Sequence, residues 1–268
     1  MRKSICSSIM VFTLSLIFNS ASAQSIWLGV HGGLSIPDLS GGNGNAISSN
    51  YTSRLAGNFG LQSDFGITKK FSISVELNYA GQGGKRDGVQ PITNLPPQYQ
   101  ALVGSGNYLY ANFKNTAAFD YLELPILARL TWGKTWKFYV NAGPYLGYLL
   151  HAEEKTRGTS YIYEDPQGKE PLTVQGYPVP AQDFTANTNI TSDIHKFNVG
   201  VTGGVGLAYP FGKNEIYLDV RGEYGLLNIQ KSSADGKDHT GNLLISLGYS
   251  FRLGKKLGHQ SRQSPARS

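Results

Sequence analysis

Residues 71–79 read Phe-Ser-Ile-Ser-Val-Glu-Leu-Asn-Tyr, a strict alternation of apolar and polar side chains. Successive side chains of a β-strand point to opposite faces, so this order predicts a strand with one apolar and one polar face. Seven further segments alternate in the same way, which predicts an all-β chain of eight strands. The first apolar positions of those segments are Ile26, Leu55, Leu122, Trp136, Phe197, Ile216 and Leu243.

The connections between these segments are alternately long and short. The segments run to about ten residues or more, as tilted membrane strands must, whereas strands of soluble sheets average about 5–6 residues. Membrane barrels also have short turns at one end and long loops at the other. We therefore predict an eight-stranded antiparallel up-and-down transmembrane β-barrel, with short periplasmic turns and long extracellular loops, and not a soluble sandwich. The short connections are 68–70, 133–135 and 210–214, the long ones are 37–54, 84–118 and 151–195, and 228–240 is intermediate.

Aromatic residues on the apolar faces fall into two groups when the strands run alternately up and down. One group lies at the short-turn end, the other lies near the long loops, and aliphatic residues separate them. Aromatic side chains concentrate at the two membrane–water interfaces, so this sorting indicates a bilayer. The short-turn group is Phe65, Phe71, Trp132, Trp136, Tyr209 and Phe251, and the long-loop group is Tyr79, Tyr148, Phe197 and Tyr224.

Two prolines lie inside the predicted strands. Pro125 and Pro144 lack the N–H group that a strand interior donates to its neighbour. We expect a bulge or a local bend at each of them.

The N-terminus has the three parts of an export signal. Arg2 and Lys3 precede an apolar run over residues 9–18, and Ala21-Ser22-Ala23 supplies the small residues of a cleavage site. The apolar run is shorter than the ~20 residues of a membrane-spanning helix, so we expect cleavage after Ala23. The expected location is the outer membrane of a Gram-negative bacterium. The predicted parts are a signal peptide (1–23), a barrel (24–253) and a basic, disordered periplasmic tail (254–268).

Composition excludes several classes of partner and site. The net charge is +6, but part of it lies in the tail, which would meet lipid headgroups or periplasmic partners, so nucleic acid is not expected as a partner. Cys6 is the only cysteine and precedes the apolar core of the signal. We therefore expect no lipid anchor, no disulfide and no thiolate metal site in the mature chain.

The polar faces of the predicted strands carry charged residues that would point into the barrel. Five acids and five bases predict a mutually compensating network, because buried charges must be paired. Eight strands leave an interior only wide enough for side chains to fill. We expect a structural network, and not a catalytic dyad, a proton relay or an ion-selective pore. Its members are Asp64, Glu76, Glu123, Arg129, Lys137, Lys196, Asp219, Arg221, Glu223 and Arg252.

No set of residues indicates catalysis, a cofactor or a metal. The five histidines are not accompanied by the serine and the acid that a lipid hydrolase or acyltransferase at the rim would need. We predict a non-enzymatic barrel whose extracellular loops bind a partner or ligand; the rim-located enzyme and a narrow solute channel are the alternatives. Loop 151–193 is the best candidate surface, because it combines Tyr161, Tyr163 and Tyr177 with four prolines.

Four stretches carry a resemblance to a known family. They are 28–34 (Leu-Gly-Val-His-Gly-Gly-Leu), 121–127 (Tyr-Leu-Glu-Leu-Pro-Ile-Leu), 142–149 (Ala-Gly-Pro-Tyr-Leu-Gly-Tyr-Leu) and the closing strand 241–253. Over the mature chain, except its two longest loops and the tail, the sequence resembles the PorT-like outer-membrane β-barrel family of Bacteroidetes. The resemblance implies a barrel without a catalytic motif and, from the namesake, a role in protein secretion across the outer membrane. The tail after Leu253 departs from the family's usual ending.

The last predicted strand ends in a pattern that looks like the insertion signal read by the outer-membrane assembly machinery. Ser246, Gly248, Phe251 and Leu253 provide a polar residue, a glycine and spaced aromatic and aliphatic residues. We therefore expect the assembly machinery and outer-membrane lipids as partners, beside the unknown partner at the loops. The alternative is one more amphipathic strand.

Overall fold

The computed structural model describes residues 25–41, 44–93, 95, 99, 103 and 108–253; the predicted signal peptide and tail lie outside them. In chain order the strands are β1 (Ser25–Gly41), β2 (Ala56–Gly66), β3 (Phe71–Pro91), β4 (Tyr110–Gly133), β5 (Lys137–Arg157), β6 (Thr159–Ser160), β7 (Ile162–Tyr163), β8 (Thr173–Val174), β9 (Tyr177–Pro178), β10 (Gln182–Asp183), β11 (Ala186–Asn189), β12 (Phe197–Phe211), β13 (Asn214–Gly225) and β14 (Asp238–Leu253). A 3-10 helix, Ser233–Asp235, precedes β14. The long strands β1 to β5 and β12 to β14 pair antiparallel in sequence, and β14 pairs with β1. The predicted closed eight-stranded barrel is confirmed.

The two ends of the ring differ in their connections. One end has the short turns 67–70, 134–136 and 212–213, and Ser25 and Leu253 lie at this end as well. The other end has the four longer connections. Among the described residues, no helix is long and apolar enough to cross a membrane.

The predicted bounds of the loops 84–118 and 151–195 are wrong, because three strands continue into these segments. β3 runs to Pro91, β4 begins at Tyr110 and β5 runs to Arg157, all with continued antiparallel pairing. The apolar alternation fades there because these parts no longer have one face toward lipid. Backbone pairing does not need that alternation, so the strands extend further than the sequence pattern indicates.

The faces of the barrel are inverted relative to a soluble protein. Large apolar side chains such as Leu61 and Leu218 point outward, while polar side chains are buried inside. On the outer face, Trp136 and Tyr148 are twelve residues apart along the chain. At ~3.3 Å per residue and a strand tilt of about 40°, this distance is roughly 30 Å in height, the thickness of a hydrocarbon core.

Aromatic residues mark the upper edge of this apolar belt. Phe59, Tyr79, Tyr148 and Phe197 lie in one register with Leu122 across five neighbouring strands, and we call the four aromatic residues the outer aromatic row. The rings of Phe59 and Tyr79 stack at 4.8 Å, and those of Tyr148 and Phe197 meet at 5.3 Å. At the short-turn end, Trp136 and Tyr209 lie 5.0 Å apart. These cross-strand pairs hold the rings at the heights where a membrane interface favours them.

Of the bulge or local bend predicted at each proline, the bulge is absent. The β3–β4 pairing skips residues 124–125 and the β4–β5 pairing skips residues 126–127, but the register is the same on both sides of each gap. A missing N–H group removes a hydrogen bond without requiring an extra residue, which explains gaps in the absence of a shift. The β4–β5 register shifts instead between Asp120 and Tyr121.

Tyrosine rings fill the lumen where the facing residue is glycine. Tyr139 covers Gly206 of β12, and Tyr217 covers Gly248 of β14; a Cβ at either glycine would lie 2.0 Å from the ring. The strand glycines are therefore required for close approach of a neighbouring side chain.

Candidate functional site

Ion pairs cross the lumen between strands that are not neighbours in the ring. Arg221 of β13 donates from Nη1 to Glu76 of β3 at 2.8 Å and from Nε to Asp219 at 2.8 Å. Since β3 and β13 lie on opposite sides of the ring, the first contact spans the lumen. Nearer the short turns, Arg129 of β4 donates to Asp64 of β2 at 2.6 Å. Side chains of opposite charge therefore fill the lumen at two levels.

Glu123 and Glu223 are the predicted network members that lack a basic partner among the described residues. Glu123 Oε1 accepts a hydrogen bond from Gln82 Nε2 at 2.6 Å. The other Glu123 oxygen and both Glu223 oxygens are buried without a hydrogen-bond partner in the part of the chain that the structure describes. Buried charge without a counter-ion is costly, so these two carboxyl groups stabilise the lumen less than the ion-paired acids do.

The remaining predicted members lie toward the ends of the barrel. Lys137 pairs with Glu215 at 2.6 Å, and the guanidinium of Arg252 lies 5.5 Å from the centre of the Trp27 ring. Lys196 is exposed just before β12 and forms no ion pair within the described ranges. Sequence reasoning missed Glu215, although its spacing of two from Tyr217 and four from Asp219 puts it on the same face.

An apolar cluster lies inside the barrel at the long-loop end. It joins residues of three barrel strands to residues of two connections, and Tyr51 and Ile190 pack against it. Apolar side chains therefore occupy part of the interior at this end, beside polar residues such as Glu154 and Asp238. The buried members of the cluster are Leu39, Ala117, Phe119, Tyr121, Leu149, Ala152, Ile194 and Ile229.

Beyond the outer aromatic row, the ends of β3, β4 and β5 carry the short strands β6 to β11. We call this part (85–93, 108–118 and 152–190) the outer lobe. Short pairings tie it together: β4 with β7, β6 with β10, β5 with β11 and β8 with β9. The lobe has an apolar core of its own. Its buried members are Ile92, Leu109, Ala111, Phe113, Ile162, Leu172 and Val179.

The β8–β9 hairpin presents an aromatic side chain at the surface of the outer lobe. Gln175 and Gly176 both have positive φ, 52° and 85°, as a tight two-residue hairpin turn requires. Tyr177 follows directly and is 78% exposed, and Tyr161 and Val174 are also exposed. Of the three tyrosines selected from the sequence, Tyr163 is half-buried, where its strand pairs with β4.

Two of the described histidines have a hydrogen-bonding contact that does not involve a serine, although His239 is the register partner of Ser40 across β1 and β14. His31 faces the lumen, with its Nδ1 3.4 Å from the Tyr217 hydroxyl, and His239 Nδ1 lies 3.2 Å from the Gly225 carbonyl. Within the described ranges no hydrogen bond joins a histidine to a serine, and no group of three or more His, Cys, Asp or Glu residues is placed to hold a metal ion.

The residues of the predicted insertion signal lie on both faces of the closing strand β14. Ser246 points inward and donates to Asn58 Oδ1 at 3.1 Å. Gly248 also faces the lumen, whereas Phe251 and Leu253 point outward and are exposed. Recognition by the assembly machinery stays a prediction.

A closed antiparallel ring with an apolar exterior, a polar lumen and unequal ends defines a small outer-membrane β-barrel. The sequence matches the family model described as "Outer membrane protein beta-barrel domain" over residues 22–231, and the chain belongs to that family. It is therefore an outer-membrane protein. In this class the short turns face the periplasm, which places the outer lobe at the cell surface.

Several solved structures are similar to this chain. Neisserial surface protein A aligns with a TM-score of 0.39 and 10% identity, covering 85% of this chain and 97% of its own. A major outer membrane protein from Thermus thermophilus gives 0.39 and 12%, with 85% and 99% covered. The attachment invasion locus protein Ail of Yersinia pestis gives 0.37 and 11%, with 84% and 98% covered. No curated protein matches the sequence.

Proposed function

We propose that this protein is a non-enzymatic outer-membrane barrel whose outer lobe binds a partner or ligand at the cell surface. The observation that carries the proposal is the outer lobe itself, which has its own apolar core and still exposes Tyr161, Val174 and Tyr177. Exposed apolar side chains on a folded support are typical of interaction surfaces. The strands below the lobe are occupied on both faces, by lipid outside and by ion pairs inside.

The charge of the lobe narrows the chemistry of the partner. The outer lobe as a whole contains seven acidic and six basic residues, and the excess of acid lies in its segment 152–190, which has six acidic and three basic residues. Electrostatic complementarity steers association, so a partner with a basic and partly apolar surface fits best. The resemblance to PorT-like proteins suggests that this partner belongs to a protein secretion system.

Site-specific photocrosslinking tests the binding surface. A photoreactive amino acid at position 177 should give a discrete adduct on intact cells, whereas the same group at Lys213, in a periplasmic turn, should not give that adduct. In a protein that carries the photoreactive group at position 161, the additional substitution Val174→Ser should reduce the amount of adduct. The reason is that Val174→Ser removes an apolar contact with the partner. Heat-modifiable migration on gels would show that each variant still folds.

Deletion of the lobe tests the function as a whole. Replacing residues 158–185 with a short Gly/Ser linker keeps the β5–β11 pairing and should leave membrane insertion intact, since loop-closure entropy changes slowly with length. The secretion or binding phenotype of the gene should be lost. If the phenotype survived this deletion, but single substitutions at Glu123 or Arg221 removed it without unfolding the barrel, the activity would lie in the lumen.

A further inference from the structure

The mouth of the barrel at the short-turn end contains a cavity of about 490 Å³. All eight barrel strands and the turn 67–70 contribute to its lining, and we call it the periplasmic vestibule. Its volume falls in the range of about 300–1,000 Å³ that is usual for small-molecule sites. The charged residues of the lining are Asp64, Lys69, Lys70, Arg129, Lys137, Glu215 and Arg252.

Positive charge is in excess in the vestibule. Its five basic side chains face only two carboxylates, and both carboxylates are already engaged, Asp64 by Arg129 and Glu215 by Lys137. Among the described residues, no ion pair involves Lys69, Lys70 or Arg252.

Two arginines that line the vestibule also have buried nitrogen atoms without an acceptor in the described part of the chain. The Arg129 side chain is only 6% exposed, yet its Nε and Nη2 have no acceptor among the described residues. The same is true of Arg252 Nε, whose guanidinium stacks on Trp27. Guanidinium groups with free donors bind carboxylates and phosphates through charge-assisted hydrogen bonds.

We propose that the periplasmic vestibule is a binding site for an anion that carries at least two carboxylate or phosphate groups. Such a ligand would neutralise the unpaired cations and accept hydrogen bonds from Arg252 and Arg129. Residues 254–268 contain four basic residues and no Asp or Glu, so their side chains cannot supply such an anion. This site is independent of the outer lobe, which lies at the other end of the barrel.

Isothermal titration calorimetry with citrate tests the site. The full-length protein is titrated in non-ionic detergent at low salt. Citrate should bind and should be displaced by added salt, whereas the cation spermidine should not bind in the vestibule. Arg252→Gln and Lys70→Gln should each weaken citrate binding about tenfold, the effect of losing a charge-assisted contact. Lys237→Gln, in the connection before β14 at the other end, should leave the affinity unchanged.

A variant that should bind citrate more tightly tests whether weaker binding in the other variants is caused by misfolding. Glu215→Gln removes a carboxylate and releases Lys137, so citrate should bind more tightly. No citrate binding by the native protein, or an equal loss in Lys237→Gln, would overturn the proposal. So would unchanged affinity in Arg252→Gln and Lys70→Gln.

The source of the anion is resolved by repeating the titration in bilayer nanodiscs with and without phosphatidylglycerol. If the anionic lipid weakens citrate binding to the native protein but not to Lys70→Gln, the site takes a headgroup phosphate from the inner leaflet. An unchanged citrate affinity assigns the site to a soluble periplasmic anion.

Discussion

Removing the central cation of the lumen should destabilise the barrel far more than removing a charge at its surface. In Arg221→Ala, Glu76 and Asp219 both lose their 2.8 Å partner. The three side chains are 4%, 0% and 2% exposed, so water cannot replace the guanidinium. The same part of the lumen already holds Glu223, whose oxygens have no partner among the described residues.

The size of this loss in stability depends on the hydrogen bonds that the two carboxylates still accept in Arg221→Ala. Breaking one buried ion pair by removing a partner costs about 3–5 kcal/mol. Asp219 keeps the amide of Asn141 at 3.0 Å, and Glu76 keeps that of Asn78 at 3.0 Å. These neutral donors compensate in part, so we expect a total loss of about 3–5 kcal/mol and not twice that value.

This loss is measured by equilibrium unfolding in guanidinium chloride, with the protein in phospholipid vesicles. Tryptophan fluorescence and gel mobility report the folded fraction. Lys237→Ala at the surface should change the free energy of unfolding by no more than about 0.5 kcal/mol. Glu223→Gln should have the opposite sign, with a gain of about 1 kcal/mol, because it removes an unpaired buried carboxylate. The reasoning would be refuted if Arg221→Ala cost less than about 1 kcal/mol, or if Glu223→Gln were as harmful as Arg221→Ala.

Three further predictions concern the wall, the lumen and the cell-surface end. Leu218→Arg faces the bilayer and should cost about 2–4 kcal/mol in the same assay, whereas Tyr177→Arg on the outer lobe should cost nothing measurable; equal costs would contradict the membrane-facing assignment. The purified protein should give no steady current in planar bilayers, and a large stable current would disprove a filled lumen. Burial raises the pKa of Asp238, beyond the outer aromatic row, to about 6 from 3.8. The folded state favours the protonated Asp238, so its contribution to the free energy of unfolding is complete below pH 3.8 and is lost as the pH rises through about 6. Unfolding measured against pH should show this loss in the native protein and not in Asp238→Asn.

The barrel could be predicted from the sequence because lipid imposes a simple rule on the outer face. Every second residue of a spanning strand must be apolar, and the rings at Trp136 and Tyr148 must sit at the interfaces. Both signals are local and survive in a single sequence. The outer lobe could not be predicted in the same way. Its strands β6 to β10 have two residues each, too few for an alternating pattern, and β7 forms by pairing with the distant strand β4.

The pairing of the lumen charges was also beyond the sequence. Counting charges gives five acids and five bases, but a count contains no information about height in the barrel or angle around the ring. Lys196 shares the polar pattern of its neighbours, yet it precedes β12 and is exposed. Arg221 meets Glu76 only because closure of the ring places β13 opposite β3.

Closure also explains why function is better sought at the ends of this barrel than in its wall. An eight-stranded ring encloses little more than side-chain volume, and here ion pairs and tyrosine rings occupy it. The pairs Arg129–Asp64, Arg221–Glu76 and Lys137–Glu215 each join strands that are not hydrogen-bonded neighbours, so they brace the ring from within. A braced and filled ring has no free surface of its own, but it holds its two ends in fixed positions. The outer lobe and the basic periplasmic vestibule therefore face different compartments, and we expect each of them to take its own kind of ligand.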